Sequence, residues 1–194
     1  MIGSVIYAVT SMLLGAAVSR ILGADSGGIF LFAFSTIGQH MFIVSYFGLR
    51  PVHVTDTSVN ASFGDYRRFR FITCAAALIA AVVFALIYAG PGLKGEVIVL
   101  MSLYKILDGL ADCYESEYQR DGRLDITGKS LTFRTLCVMV CFLAAMLISK
   151  DLLISCTIAV LALAAAMFVC CVIPMKKLDA AKGNCTLTPD FSVH

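Results

Sequence analysis

Charge is what this sequence has least of. Only 14% of its 194 residues are Asp, Glu, Lys or Arg, where about 25% is usual. Whole stretches hold none: Met1 to Ser19, Ser26 to Leu49, Phe71 to Leu93 and Leu152 to Met175. A chain this short cannot hide so much apolar surface from water, because small domains keep much of their surface exposed. A soluble globular fold is therefore excluded, and so is a disordered chain. The net charge is only +2, too little to drive binding to a phosphate backbone, so no nucleic-acid partner is expected. There is no C-x-x-C pair, no Walker loop, no Rossmann fingerprint and no nucleophile elbow, and ATP hydrolysis is not expected. Nor is there the ten-residue alternation of apolar and polar positions that marks barrel strands.

What is present is a set of long apolar runs. A hydrocarbon core of about 30 Å takes about 20 helical residues, and backbone groups in lipid must be satisfied within the segment. The sequence predicts an all-α, polytopic membrane protein with six transmembrane helices in one bundle over 1–175. The expected spans are 2–22, 28–49, 71–91, 96–118, 131–149 and 152–174, followed by a polar cytoplasmic tail, 176–194. Arg134 interrupts the fifth span near one end, from where a long side chain can snorkel to the interface. The first segment lacks a basic start and exceeds a signal peptide's usual apolar length; it reads as an uncleaved helix.

Lys and Arg positions test the layout. With a cytoplasmic N-terminus, the cytoplasmic segments hold Arg50, Arg67, Arg68, Arg70, Arg120, Arg123, Lys129, Arg134, Lys176, Lys177 and Lys182. The outer loops hold Arg20, Lys94 and Lys150. That asymmetry is the one expected of short cytoplasmic loops, and it puts both termini in the cytoplasm.

The eight cysteines form no framework. Cys74, Cys137, Cys141, Cys156, Cys170 and Cys171 lie in apolar spans, Cys113 near the end of the fourth and Cys185 in the tail. They read as small apolar core residues. No metal site, cofactor or catalytic residue is expected.

The fourth span is the most informative stretch. On a helix at about 100° per residue, Lys105, Asp108, Asp112, Glu115 and Gln119 fall within an arc of about 80°. Leu103, Ile106, Leu110 and Cys113 occupy the other side. A charge near the bilayer centre costs about 2.5–3.5 kcal/mol, so this stripe must face water, protein or a cation from another helix. The readings that stand are a water-filled transport cavity, a buried ion-pair network that fixes helix packing, or an interfacial helix with no transport role. Weaker stripes are Ser4, Tyr7, Ser11 and Gly15 in the first span and Ser35, Gln39, Tyr46 and Arg50 in the second, where Ser and Gly suit close packing. His40 lies off that stripe, as a packed or interfacial histidine. The connection from Arg50 to Arg70 interleaves Phe63, Tyr66 and Phe69 with arginines and reads as an interfacial segment on anionic lipids, at about 1 kcal/mol per basic residue.

Several motifs carry a family resemblance. Val18 to Phe30 (VSRILGADSGGIF) resembles the SR-x-LG turn of polysaccharide and oligosaccharide flippases of the multidrug/oligosaccharidyl-lipid/polysaccharide exporter superfamily. FGLR at Phe47 to Arg50, VTD at Val54 to Asp56, GDYRRFR at Gly64 to Arg70, and Leu103 to Arg134 with its Q-x-x-G-R at Gln119 to Arg123 are similar to the same proteins, in the same order, as far as about Pro174. The resemblance implies translocation of undecaprenyl-diphosphate-linked sugar units across a bacterial inner membrane, by alternating access between two six-helix bundles. It makes Arg20 and Arg50 the cation candidates for a pyrophosphate; Asp56, Gln119 and Arg123 match pattern positions without an assigned role. The chain corresponds to the first bundle, about half the family's length. The other half is then another chain, or two copies pair as a homodimer, or the chain is a truncated product. Lys105, Asp108, Asp112 and Glu115 sum to −2, so this face is expected to repel phosphate, and Asp108 and Asp112 to bind a coupling proton or cation, or sugar hydroxyls. Expected partners are the lipid-linked oligosaccharide and membrane lipids; Gln39 joins the cavity candidates. The alternatives are a non-transporting subunit or scaffold and a lipid-phosphate transferase. Asp108-Gly109 with Asp112 and Asp125 superficially resembles the CDP-alcohol phosphotransferase signature, but Lys105 and Cys113 break it.

Overall fold

A computed structural model describes residues 2–55 and 62–176. Asp56, Cys185 and most of the expected tail lie outside the described residues. Among the described residues the chain is all-α, with no strand. Helix α1 is Ile2–Leu22. Gly23, at φ 93°, separates it from α2 (Ala24–Leu31), which passes through a π-helical turn (Phe32–Ile37) into α3 (Gly38–Tyr46). A short α4 (Leu49–Thr55) follows, then α5 (Phe63–Tyr88), α6 (Leu93–Arg120), α7 (Leu124–Ser149) and α8 (Leu152–Met167), which ends in a second π-helical turn (Phe168–Val172).

Five stretches are long and apolar enough to cross a bilayer: Val5–Leu22, Ala24–Thr55, Phe63–Tyr88, Leu124–Ser149 and Leu152–Lys176. Of the six expected, the remaining one, α6, does not qualify by composition, because ionisable residues recur along it. The helices overrun the expected spans where the sequence supplies caps. Ser62 and Asp65 form a reciprocal capping box, so α5 starts at Phe63 and not at 71. Asp151 Oδ1 accepts from the Leu153 and Ile154 amides at 2.7 and 3.2 Å and starts α8. The expected interfacial connection from Arg50 to Arg70 is in fact mostly helix: α4, then the first turns of α5.

The bundle is apolar on the outside and polar at its centre. Ile87, Ile148, Ile79 and Leu161 are exposed on its periphery, a surface suited to lipid. α6 lies at the centre, packed against α3, α4, α5, α7 and α8. Small residues allow close approach of α5: Cys74, Ala77, Ala81 and Ala85 are buried on this helix, which packs on α6. A Cβ on Gly109 of α6 would collide with Ser45 Oγ of α3, so glycine sets the α3–α6 distance there. At the end of the bundle away from Arg50, Phe30, Phe34, Ile98, Met101, Phe142, Met146 and Leu163 form the main apolar core.

Candidate functional site

The stripe predicted on α6 is real as a buried feature. Lys105, Asp108, Asp112 and Glu115 are all buried. Its neighbours, which the sequence did not pair with it, come from five other helices.

Asp108 lies between α1 and α7. Arg134 Nη2 donates to its Oδ1 at 2.9 Å, and Tyr7 Oη donates to its Oδ2 at 3.0 Å. Arg134 uses its other nitrogen on Glu115, Nη1 to Oε1, at 2.9 Å. Its side chain is 3% exposed. The expectation that Arg134 snorkels to the interface is therefore corrected: two carboxylates about two turns apart on α6 hold its guanidinium inside. A guanidinium offers five donors in a planar fork, which lets it serve both acids at once.

Asp112 has no partner on its own helix but two from elsewhere. Arg50 of α4 ion-pairs with Oδ1, and Arg70 of α5 with Oδ2 at 3.2 Å. Arg70 is wholly buried; its Nη1 donates to the Ser45 and Tyr46 carbonyls at 3.1 and 2.8 Å. A cation at the end of α3 complements its unpaired carbonyls. Arg70 was expected on lipid headgroups; the helix that starts at Phe63 instead turns it inward.

Lys105 lies three residues before Asp108, a spacing at which the two could pair. It reaches Asp108 only through a relay. Its Nζ donates to Tyr7 Oη at 2.9 Å and lies 3.4 Å from Gln39 Oε1. It also sits 4.2 Å from the centre of the Phe34 ring, a cation–π contact. The π-helical turn carries Phe34 to this place; such turns often mark functional sites.

Part of this cluster floors and walls a cavity of about 190 Å³, with Lys105 and Arg70 behind its lining. Tyr7 bounds it on α1, Gln39 and Phe42 on α3, Arg50 on α4, and Leu131 and Arg134 on α7, with Asp108, Asp112 and Glu115 below. Arg50 is 30% exposed, and its Nη2 donates to Gln119 Oε1 at 2.9 Å. So Gln39, Arg50, Lys105, Asp108, Asp112, Glu115 and Gln119 come together. Arg20 and Arg123 do not. Arg20 is exposed in the last turn of α1, about 20 Å along the helix from Tyr7 at 1.5 Å per residue. Arg123, in the turn after α6, pairs with Asp125 at 3.4 Å. His40 is exposed, its Nδ1 2.6 Å from the Thr36 carbonyl oxygen.

The charge balance changes sign. Four cations (Arg50, Arg70, Lys105 and Arg134) face three carboxylates (Asp108, Asp112 and Glu115), leaving one net positive charge. The seam on α6 alone is anionic; the assembled site is not.

A second polar cluster lies further along α6. His53 Nε2 and Glu117 Oε2 are 2.8 Å apart, and Arg120 Nη1 is 3.6 Å from the same oxygen. His53 stacks flat on Tyr66, ring centres 4.1 Å apart. Sequence reasoning missed this pair. The only signal was Glu117 in a helix whose other acids were already conspicuous. A larger cavity of about 430 Å³ sits at the other end, between α5, α6 and α8. It is apolar and holds none of these groups. Among the described residues no cluster of His, Cys, Asp or Glu is placed to hold a metal ion.

Comparison of the chain with protein-family models, curated proteins and solved structures returns no match.

Proposed function

We propose that this chain is one half of a membrane flippase that translocates undecaprenyl-diphosphate-linked oligosaccharide units for cell-surface polysaccharide synthesis, by alternating access. The observation that carries the proposal is a charged cavity at the centre of a bundle whose outside is apolar: Arg50 and Arg134 face three carboxylates on its walls, and with Arg70 and Lys105 behind them the cluster as a whole is net cationic. Such a site suits a ligand with an anionic headgroup and an apolar tail. The motif resemblance at SRILG, FGLR and Gln119 to Arg123 supports the same class.

In this reading α6 is a sixth crossing. Its 28 residues span about 42 Å at 1.5 Å per residue, more than a hydrocarbon core of about 30 Å. It tolerates lipid depth because other helices surround it and its charges are paired. The membrane is a bacterial inner membrane, with the ends of α3 and α6 and both termini on the cytoplasmic side. Arg50 is the exchangeable cation. An incoming diphosphate can take its guanidinium while Arg70 keeps Asp112 neutralised. A second six-helix half, or a second copy, supplies the facing wall.

The test is a flipping assay in proteoliposomes with a fluorescent lipid-diphosphate sugar, for the chain alone and with its pairing half. Arg50→Ala should lower lipid retention about tenfold or more, the scale of one charge-assisted hydrogen bond, while the protein still inserts. A second reading, an ion-pair network that only fixes packing in a non-transporting subunit, is favoured by the arginine partner that each carboxylate already has. Under that reading Arg50→Ala changes stability, and no lipid-linked sugar is retained by any variant. That result would remove the flippase proposal.

A further inference from the structure

Helix α4 is fastened to the bundle by two side chains. Of its residues only His53 is buried, while Pro51, Val52 and Thr55 are exposed. Arg50 reaches Asp112 and Gln119, and His53 reaches Glu117. All three partners lie on α6. The chain enters α4 through Phe47 and Gly48, at φ 47° and 63°. Two successive residues in the left-handed region make a sharp bend. The post before that bend is firm: Arg70 and Thr73 Oγ1 both donate to the Ser45 carbonyl, the latter at 2.8 Å. A fixed helix end, a two-residue bend and a lightly held helix therefore follow one another.

The acids that hold α4 each have a cation in reserve. Asp112 keeps Arg70 at 3.2 Å if Arg50 leaves. Glu117 keeps Arg120 at 3.6 Å if His53 leaves. Breaking a buried pair is costly chiefly because it strands a charge. Here neither acid is stranded. The cost of release falls on α4 itself, whose Arg50 gains water and whose His53 loses its stack on Tyr66. Nδ1 of His53 is already buried without a hydrogen-bond partner, a group that gains by reaching water. Since Arg50 is part of the cavity wall, movement of α4 removes that wall.

We propose that α4 is a hinged cover on the polar cavity, turning about Phe47–Gly48, with His53–Glu117 as its latch. The cover governs water's access to the cavity and holds whichever ligand the cavity takes; the test uses no lipid-linked sugar.

The full chain in lipid nanodiscs is measured by hydrogen exchange and by hydroxyl-radical footprinting. In the unmodified protein the amides of 49–55 should exchange faster than those of α5 and α6, as expected of a unit that opens locally. His53→Phe keeps a ring on Tyr66 and removes the bond to Glu117. It should speed exchange over 49–55 by about tenfold, the loss of one hydrogen bond to a charged group. It should also raise oxidation of Phe42 and Leu131 on the cavity walls and leave Phe142 in the apolar core unchanged. His53→Gln, which retains a donor, should return both readouts toward the unmodified protein. The proposal is overturned if 49–55 is as protected as α6 in the unmodified protein. It is equally overturned if His53→Phe leaves cavity oxidation unchanged, or raises exchange evenly through α5, α6 and α7.

Discussion

Arg134→Met is the sharpest test of the charged centre. Arg134 contacts both Asp108 and Glu115, at 2.9 Å each, and its side chain is 3% exposed. Met matches its stem in length but carries no charge. After the change Asp108 retains a donor from Tyr7 at 3.0 Å, while Glu115 loses its ion pair. Removing one partner of a buried pair costs about 3–5 kcal/mol, because the other charge is left uncompensated. For a chain of 150–250 residues each kcal/mol moves the unfolding midpoint by about 2–4 °C, so a drop on the order of 10 °C is expected. Thermal unfolding in detergent, followed by size-exclusion recovery, measures it. The decisive comparison is the triple variant Asp108→Asn, Glu115→Gln, Arg134→Met. Neutralising all three groups together removes the stranded charges, and replacing a whole buried ionic cluster is often neutral or stabilising. The triple variant should therefore recover most of the loss. If the single variant melts within a degree or two of the unmodified protein, Arg134 is not buried between the two acids. If the triple variant is worse than the single one, the penalty does not come from uncompensated charge.

Three further outcomes follow from the packing. Gly109→Leu should block the approach of α3 to α6, since even a Cβ there meets Ser45 Oγ; overpacking costs about 1–3 kcal/mol, read as a lower melting midpoint and loss of cavity protection in footprinting. Asp151→Ala removes the cap that holds the Leu153 and Ile154 amides and should cost about 1 kcal/mol, seen as faster exchange confined to the start of α8. Impermeant thiol labelling of Lys94→Cys and Arg123→Cys, at the two ends of α6, should mark opposite sides of the membrane; labelling from one side would show that α6 does not traverse.

The apolar runs made the helices legible, because a span of about 20 uncharged residues in a short chain has few other uses. Helix starts were less legible. The sequence reading began the third and fifth spans at 71 and 131, just past Arg70 and Lys129, whereas the structure begins α5 at Phe63 and α7 at Leu124. A cap decided the first, and buried polar partners decided the second: Thr127 and Ser130 are buried in the first turns of α7. Half of the site was legible too. Lys105, Asp108, Asp112, Glu115 and Gln119 share one face by helical geometry alone.

By itself, then, the sequence determined that the chain is helical, that lipid suits its outer surface, and that α6 carries an acidic stripe. It did so because those properties depend on composition and on spacing within a helix. Tertiary structure decided the sign of the site. Arg50, Arg70 and Arg134 lie 62, 42 and 26 positions from the acids they meet, and no local period links them. Each arginine sits beside apolar sequence in which a lipid-anchoring reading is equally natural. Only the packing of α4, α5 and α7 around α6 shows that those cations turn inward, where low dielectric makes an unpaired carboxylate costly and a paired one tolerable.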